Sequence, residues 1–226
     1  MHPLRCADNY QAAISVFQRI ENEWPLRSSG DEVTQYVQNL GVRLAQLKGY
    51  GNAFPWRFSV VRNLAPNAFS IGSGYVFVTE GAINFAETES ELAAILAHEL
   101  GHELAGHFCT VQPSSASTGF LDNLFMPKPE QHRVGVGSLT QVVDAVKEQQ
   151  ADRIALSIIM AGGYNPAAML SLAKRLPLNS ATHLMDVSRI QALEKAIANL
   201  PAQPAQSSNE FLAIKRALYE SGPAIK

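Results

Sequence analysis

Two histidines and a glutamate are spaced in a way that suits metal-dependent hydrolysis. They are His98, Glu99 and His102, in the run His-Glu-Leu-Gly-His. On a helix, four residues advance about 6 Å and turn about 400°, so both imidazoles stand on one face and can hold one ion. Glu99 projects beside them, within reach of a metal-bound water whose proton it can take. The motif therefore predicts a zinc hydrolase in which Glu99 is the general base.

A tetrahedral zinc site with one open position needs a third protein ligand. His107 comes five residues after His102 and points off the ligand face, and Cys109 lies about 10 Å along the helix. Glu148 is the better candidate, because Glu148 and Asp152 are four residues apart on one face of a second predicted helix. We expect Glu148 to ligate the ion. We expect Asp152 to accept the other ring N–H of a zinc histidine and so fix its tautomer.

The helices that position these residues have their own signals. A capping signature at Thr88 to Glu91 predicts that the first ligand helix covers residues 89–107. A similar signature at residues 138–141 predicts that the second covers residues 138–162. The residues between them, over 110–137, are rich in Pro, Gly and Ser. This composition suits a mobile cover that gates the cleft, and the alternative is an ordinary surface loop.

The remaining elements are predicted from the period of their apolar residues. Residues 8–48 have the three-four spacing of two amphipathic helices, and residues 56–80 contain short β-branched and aromatic runs typical of strands. Residues 201–226 combine a Pro- and Gln-rich linker with a last amphipathic helix. The pattern predicts an α+β fold that is mainly α-helical, with one catalytic domain over residues 1–200.

Composition excludes several classes of protein. The chain has 226 residues, of which 46% are hydrophobic, so it is long and apolar enough to fold around a sizeable core. A formal net charge of −2 gives no reason to expect a nucleic-acid partner. No run approaches the roughly 18 apolar residues of a membrane helix, so we expect membrane association only through a segment absent from this sequence. Cys6 and Cys109 allow at most one disulfide, and their spacing does not decide whether it forms.

Four segments together resemble one family of enzymes. They are Asn67 to Phe69, Gly72 to Gly81, Glu91 to His102 and Glu148 to Asp152. In this order they are similar to the gluzincin metallopeptidases, which include the HtpX protease, the CAAX prenyl endopeptidases and metalloproteases of the bacterial envelope. The resemblance covers roughly residues 53–190.

This resemblance implies a zinc-dependent endopeptidase with a zincin-like fold and one Zn²⁺ per chain. His98, His102 and Glu148 would be its ligands and Glu99 its base. A zinc-activated water would hydrolyse peptide bonds, and the expected substrates are peptides and unfolded or misassembled polypeptides. The alternative is a latent or inactive zinc-binding domain that recruits peptides or protein partners. Cell envelope or periplasm is the compartment that the resemblance favours, with the cytoplasm as the alternative.

The resemblance also implies where the substrate binds. The strand near Tyr75 to Thr79 and the segment before it would form the upper wall of the cleft, as the edge of a small mixed sheet. An extended peptide would then pair with the exposed edge through its main chain. The predicted substrate-binding residues are Asn67, Ala68, Tyr75 and Val76.

A second catalytic residue is suggested by a further family landmark. In the family, a histidine is followed by proline and, six residues after the histidine, by an arginine-isoleucine pair. His183 with Arg189 and Ile190 matches this spacing, although Leu184 replaces the proline. By resemblance, His183 would stabilise the oxyanion of the reaction, or in a resting state occupy the open metal position as a latch.

Overall fold

The computed structural model describes residues 7–108, 144–176, 183, 186–205 and 207–221. Within these ranges the elements, in chain order, are α1 (Ala7–Glu23), α2 (Glu32–Leu47), β1 (Arg57–Val61), β2 (Ala68–Ser70), β3 (Tyr75–Thr79), α3 (Glu80–Phe85), α4 (Glu89–Leu104), α5 (Ala145–Ala161), α6 (Ala167–Arg175), α7 (Val187–Ile197) and α8 (Asn209–Glu220). The predicted α+β fold, mainly α-helical with a small mixed sheet, is confirmed. The proposed cover over residues 110–137 and the Cys6–Cys109 pairing lie outside the described residues.

The sheet has the strand order β1-β3-β2, with β1 parallel and β2 antiparallel to β3. The prediction that Tyr75 to Thr79 is the edge of the cleft is therefore wrong. β3 is the central strand, so its backbone groups, including those of Tyr75 and Val76, face a neighbouring strand on each side. The Val76 side chain is also buried in the main core. Of the described strands, β2 is the edge strand on the side of the ligand helices, since it contacts α4.

Helices cover both faces of this sheet. On one face, Phe17 and Ile20 of α1 pack on Phe69 and Phe77, whose rings are stacked at 5.0 Å. On the other face, the valines of β3 join the main core with α2, α4 and α5. This division follows from the two-residue period of a strand, which sends alternate side chains to opposite faces.

The first ligand helix, α4, begins where the capping signature predicts. Thr88 Oγ1 accepts the N–H of Glu91 at 3.2 Å, and a Glu91 carboxylate oxygen accepts the N–H of Glu87 at 2.7 Å. The helix ends at Leu104, earlier than the predicted 107, because Gly106 has a φ of 70° in the left-handed region that terminates helices.

The second ligand helix, α5, begins later than predicted. Its first residue is Ala145 rather than residue 138, and its N-cap is Asp144, whose side chain accepts the N–H of Val146 at 2.8 Å. The cap of this helix therefore comes from an aspartate that the capping-box pattern did not include.

A glycine sets the distance between the two ligand helices. A Cβ added to Gly101 of α4 would lie 2.6 Å from the carbonyl oxygen of Ala151 in α5. Only a residue without a side chain allows this approach, because a contact that short to backbone must push the helices apart. Gly101 thereby brings the face of α5 that carries Glu148 against the face of α4 that carries the histidines.

The last helix packs on the same body. Phe211 of α8 is fully buried in the main core, and Lys215 donates to the carbonyl oxygens of Asn84 and Ala86 near the end of α3. None of the described helices combines the length and the apolar character that crossing a membrane requires.

Candidate active site

His98 and His102 of α4 face Glu148 of α5. His98 Nε2 lies 3.0 Å from His102 Nε2 and 3.4 Å from Glu148 Oε2, and His102 Nε2 lies 3.3 Å from Glu148 Oε1. All three residues are buried. Ligand atoms on a tetrahedron with metal bonds of 2.0–2.1 Å are roughly 3.3–3.4 Å apart. The cluster fits a metal site.

His183 adds a fourth donor to the same cluster. Its Nδ1 lies 3.2 Å from His98 Nε2 and 3.3 Å from Glu148 Oε2, and one atom from each of the four side chains lies within 4.8 Å of the others. The structure thus brings together the three predicted ligands and the histidine that sequence reasoning placed near them. Two imidazoles, one carboxylate and a further imidazole form a donor set that suits zinc.

The charges around the cluster call for a cation. Glu99, Glu148 and Asp152 are buried carboxylates, and the guanidinium of Arg189 pairs with the last two of them. If the imidazoles are neutral, three negative charges and one positive charge leave a net charge of −2. Burial lowers the pKa of His183, but the carboxylates of Glu99 and Glu148 raise it well above its usual value. A divalent cation would balance this charge in place of a proton.

Hydrogen bonds fix the orientation of His98. Its Nδ1 lies 2.9 Å from Asp152 Oδ1, so the ring donates there and turns the lone pair of Nε2 toward the cluster. Arg189 holds Asp152 in turn, through Nε at 2.8 Å and Nη2 at 2.7 Å, and donates from Nη1 to Glu148 Oε2 at 2.5 Å. Burial raises the pKa of Asp152, but the bonds with His98 and Arg189 lower it to about 2.

His102 is oriented by a residue that sequence reasoning set aside. His107 Nδ1 lies 2.9 Å from His102 Nδ1, and His107 Nε2 lies 3.3 Å from Gln150 Oε1. Because an amide oxygen only accepts, His107 donates to Gln150 and accepts the N–H of His102, which leaves His102 Nε2 free to ligate. Helix spacing excludes His107 as a direct ligand, but it leaves room for a hydrogen bond to the ring nitrogen of His102 that faces away from the cluster.

Glu99 is buried beside the cluster, and its Oε1 lies 3.1 Å from His183 Nε2. Burial raises the pKa of Glu99, but the charge of His183, a hydrogen bond from that ring and the other two histidines lower it to about 2. The side chain is therefore ionised at neutral pH, as a general base must be.

Glu103, another buried glutamate of α4, holds a turn of the sheet rather than facing the cluster. Glu103, one turn after Glu99, accepts the backbone N–H groups of Gly72 and Gly74 at 2.8 and 3.1 Å. Both glycines, and Ser73 between them, have positive φ and form the turn that joins β2 to β3. The two bonds to Glu103 attach this turn to the ligand helix. Burial raises the pKa of Glu103 to about 8, against the opposite effect of these two bonds. No spacing rule pointed to this contact, because the partners are about thirty positions apart in the chain.

The edge strand β2 lies next to the cluster. Thr79 N–H donates to Asn67 O and Ile71 N–H to Tyr75 O, at 2.9 and 3.1 Å. Pairing alternates along an antiparallel strand, so the backbone groups of Ala68 point away from β3. There, Ala68 O lies 3.0 Å from His183 Nε2.

Of the predicted substrate-binding residues, the structure places Asn67 and Ala68 in the cleft beside Glu99. It places Tyr75 and Val76 elsewhere: Tyr75 stacks on Phe17 of α1 at 4.7 Å, and Val76 lies in the main core. The prediction that Tyr75 and Val76 bind substrate depends on β3 being the edge strand. Since β3 is the central strand, neither residue lies in the cleft.

Comparison with known proteins agrees with this geometry. Residues 31–127 match the model of peptidase family M48. This segment of the chain is similar to that family. The matched segment includes His98, Glu99 and His102, and it ends before Glu148. The family is a family of metallopeptidases, so the inactive peptide-recruiting domain is the less favoured of the two functions considered above.

Several known proteases can be aligned with most of the chain. The beta-barrel assembly-enhancing protease of Escherichia coli K12 is 26% identical over 221 residues, which cover 84% of this chain and 45% of the relative. The mitochondrial metalloendopeptidase OMA1 of Schizosaccharomyces pombe is 27% identical over 183 residues, which cover 72% of this chain and 52% of the relative. The chain therefore spans about half the length of these relatives.

Proposed function

We propose that this chain is a zinc-dependent endopeptidase that binds one zinc ion through His98, His102 and Glu148. Glu99 would be its general base. The observation that carries the proposal is the convergence of His98, His102 and Glu148, whose facing nitrogen and oxygen atoms lie 3.0–3.4 Å apart. An ionised carboxylate, Glu99, lies beside them, and a single guanidinium faces the three buried carboxylates of the site. Such a site suits a reaction in which charge develops on a carbonyl oxygen.

The chemistry that zinc supplies at such a site is Lewis acidity, which lowers the pKa of water toward 7 and polarises a carbonyl group. Glu99 takes a proton from the attacking water, whose oxygen bonds to the carbonyl carbon of the scissile peptide. The same carboxyl then gives that proton to the leaving nitrogen as the C–N bond breaks. Asp152 and His107 hold the two ligand imidazoles in the tautomers that leave Nε2 unprotonated.

We assign His183 two positions in this cycle. With a metal ion in place of its second ring proton, a neutral His183 would donate from Nε2 to Ala68 O, 3.0 Å away, and would present Nδ1 as a fourth ligand. Once released from Ala68, the imidazole can donate to the developing oxyanion. Because the same ring completes the donor set, we expect His183→Ala to lose metal to a chelator faster than wild type. An unchanged rate of metal loss would contradict the closed position.

The proposed substrates are unfolded or misassembled polypeptides. The backbone of Ala68 points into the cleft, and a strand edge recognises extended main chain with little regard for side chains. The bacterial relatives are named for assembly of beta-barrels, and this likeness supports both that substrate class and action in the cell envelope.

A comparison of wild type with Glu99→Gln tests the proposal. Glutamine keeps the shape of the side chain but cannot accept the proton, so we expect equal bound zinc and a loss of casein cleavage of at least about 100-fold. Zinc is measured by atomic absorption and cleavage by fragment release. Equal cleavage by the two proteins would refute the base assignment, and absence of stoichiometric zinc from both would refute the metal site.

A further inference from the structure

A buried glutamate outside the cluster ties the sheet to the first ligand helix. Glu103 lies on α4, and its two carboxylate oxygens accept the N–H groups of Gly72 and Gly74, at 2.8 and 3.1 Å. All three residues are buried. A buried N–H group is costly to leave unpaired, so the turn at residues 72–74 depends on this carboxyl group for both of its contacts with the helix.

The backbone of the turn makes it suited to a carboxylate. Gly72, Ser73 and Gly74 have φ values of 92°, 60° and 85°, so three residues in succession lie at positive φ. Turns of this kind form concave sites where backbone N–H groups converge on an anion. The left-handed region is uncommon for a serine, and such a backbone persists only where the surrounding structure holds it. Glu103 provides that support.

The same turn is the far end of the strand that borders the cleft. β2 is three residues long, and Ala68 at its start precedes Gly72 by four positions, about 13 Å along an extended chain. At that start, Ala68 O lies 3.0 Å from His183 Nε2. β2 is paired with β3 over its whole length. A displacement of the turn relative to α4 would therefore carry β2 with it.

The position of Glu103 on α4 links this turn to the candidate base. Glu103 follows Glu99 by four residues, so the two side chains share one face of the helix, about 6 Å apart along its axis. Glu99 faces the metal cluster, through its contact with His183, and Glu103 faces the turn. Because one helix carries both glutamates, the bonds of Glu103 fix where β2 lies relative to the base.

We infer that Glu103 is a positioning residue, which holds β2 at the distance and angle from Glu99 at which an extended peptide can pair with the strand and reach the base. The inference rests on the proposed peptidase function and adds to it a residue that contacts neither metal nor substrate. Main-chain pairing depends on short, well-aligned hydrogen bonds, so a small displacement of the strand weakens every bond of the pair.

Cleavage kinetics of Glu103→Gln test this assignment in the zinc-loaded protein. Glutamine has the same length, but its amide nitrogen cannot accept an N–H, so one of the two bonds is lost. For a fluorophore- and quencher-labelled peptide from a casein cleavage site, we expect KM to rise at least about 5-fold, with zinc content equal to that of wild type. KM does not depend on the amount of folded enzyme, so loss of stability alone would lower only the apparent kcat. An unchanged KM would overturn the assignment.

Glu91→Gln is the matched control. Glu91 is also a buried glutamate of α4, but it pairs with Arg175 and accepts the N–H of Glu87. We expect its KM to equal that of wild type. A rise equal to that in Glu103→Gln would mean that loss of any buried carboxylate of this helix disturbs the cleft, and it would refute the particular role of Glu103.

Hydrogen exchange measures the attachment of the turn without turnover. In Glu103→Gln we expect the backbone amides of residues 72–74 to exchange at least about 10-fold faster than in wild type, while the amides in the middle of α4 keep their wild-type rates. Equal acceleration in the turn and in the helix would show a general loss of stability and would refute the attachment.

A binding measurement separates this inference from the peptidase function. Calorimetry compares the same peptide on Glu99→Gln and on the double variant Glu99→Gln/Glu103→Gln, and we expect the double variant to bind about 5-fold more weakly. Weaker binding by the double variant of a protein whose wild type does not cleave would support the role of Glu103 and refute the peptidase function. Equal binding by the two variants would refute the role of Glu103.

Discussion

The two ends of helix α4 bury the same kind of side chain, but they balance its charge differently. At the N-terminal end, Glu89 lies 3.4 Å from Arg43 and accepts the N–H of Ser208 at 2.8 Å. Glu91 pairs there with Arg175. Each carboxylate has its own arginine from another element, and both lie in the first turn, where the helix dipole favours negative charge. This end needs no further ion.

At the C-terminal end, the carboxylates outnumber the cations. Glu99, Glu148 and Asp152 are all buried, and Arg189 bonds to the last two of them. An uncompensated charge is costly in a buried site unless a proton or a metal ion neutralises it. The comparison teaches that the first end is built for stability and the second to take up a cation. Three substitutions test this distinction.

Glu148→Ala should have the largest effect, because it removes one ligand and leaves the guanidinium of Arg189 with one partner fewer. A zinc site of several ligands is worth about 10–16 kcal/mol in total, so we expect zinc affinity to fall roughly 100-fold or more. Competition with a chromogenic chelator measures it. The control is Glu194→Ala, which removes an exposed partner of Lys174. Wild-type zinc affinity in Glu148→Ala would mean that the third ligand is a different residue.

Gly101→Ala should have an intermediate effect, because the new methyl group collides with Ala151 O and separates α4 from α5. Overpacking of this kind costs about 1–3 kcal/mol, so we expect zinc affinity to fall roughly 5- to 150-fold. Gly30→Ala is the matched control, because a Cβ there meets no atom within 4 Å. If Gly101→Ala binds zinc as tightly as Gly30→Ala, the close contact does not position Glu148.

Glu89→Gln should have the smallest effect, and it should change stability rather than zinc affinity. Burial raises the pKa of Glu89, but hydrogen bonds from Ser208 and the charge of Arg43 lower it below its usual value. The stabilising contribution is therefore complete above about pH 4.5 and is lost as the pH falls through the lowered pKa. We expect a loss of about 1–2 kcal/mol at pH 7, measured by urea unfolding.

The difference in unfolding free energy between wild type and Glu89→Gln should shrink as the pH falls below about 4.5. A difference that grows on acidification would have the wrong sign for a carboxylate with a lowered pKa. A loss of zinc affinity in Glu89→Gln equal to that in Gly101→Ala would remove the distinction between the two ends of α4.

The parts of the site that depend on local geometry could be predicted from the sequence. The four-residue spacing of His98 and His102 places them on one face of any helix, and the Thr88 cap fixes where that helix begins. Glu148 and Asp152 follow the same spacing rule on α5. These predictions needed no knowledge of which elements are neighbours.

The parts that depend on distant neighbours could not be predicted in this way. The order of the strands places β3 between β1 and β2, and only the packed fold decides which strand keeps a free edge. In the sequence, Gly101 and Glu103 look like ordinary helix residues. Their roles become visible only in the folded chain, where Ala151 packs against Gly101 and the turn at Gly72 donates to Glu103. The contacts that hold the site together between distant parts of the chain therefore cannot be predicted from local sequence patterns.

The most direct test of the central claim is anomalous X-ray diffraction from crystals of the zinc-loaded protein, with data collected on both sides of the zinc absorption edge. We predict one peak per chain, within about 2.0–2.3 Å of His98 Nε2, His102 Nε2 and a carboxylate oxygen of Glu148. No peak between α4 and α5, or a peak that does not contact Glu148, would contradict the account.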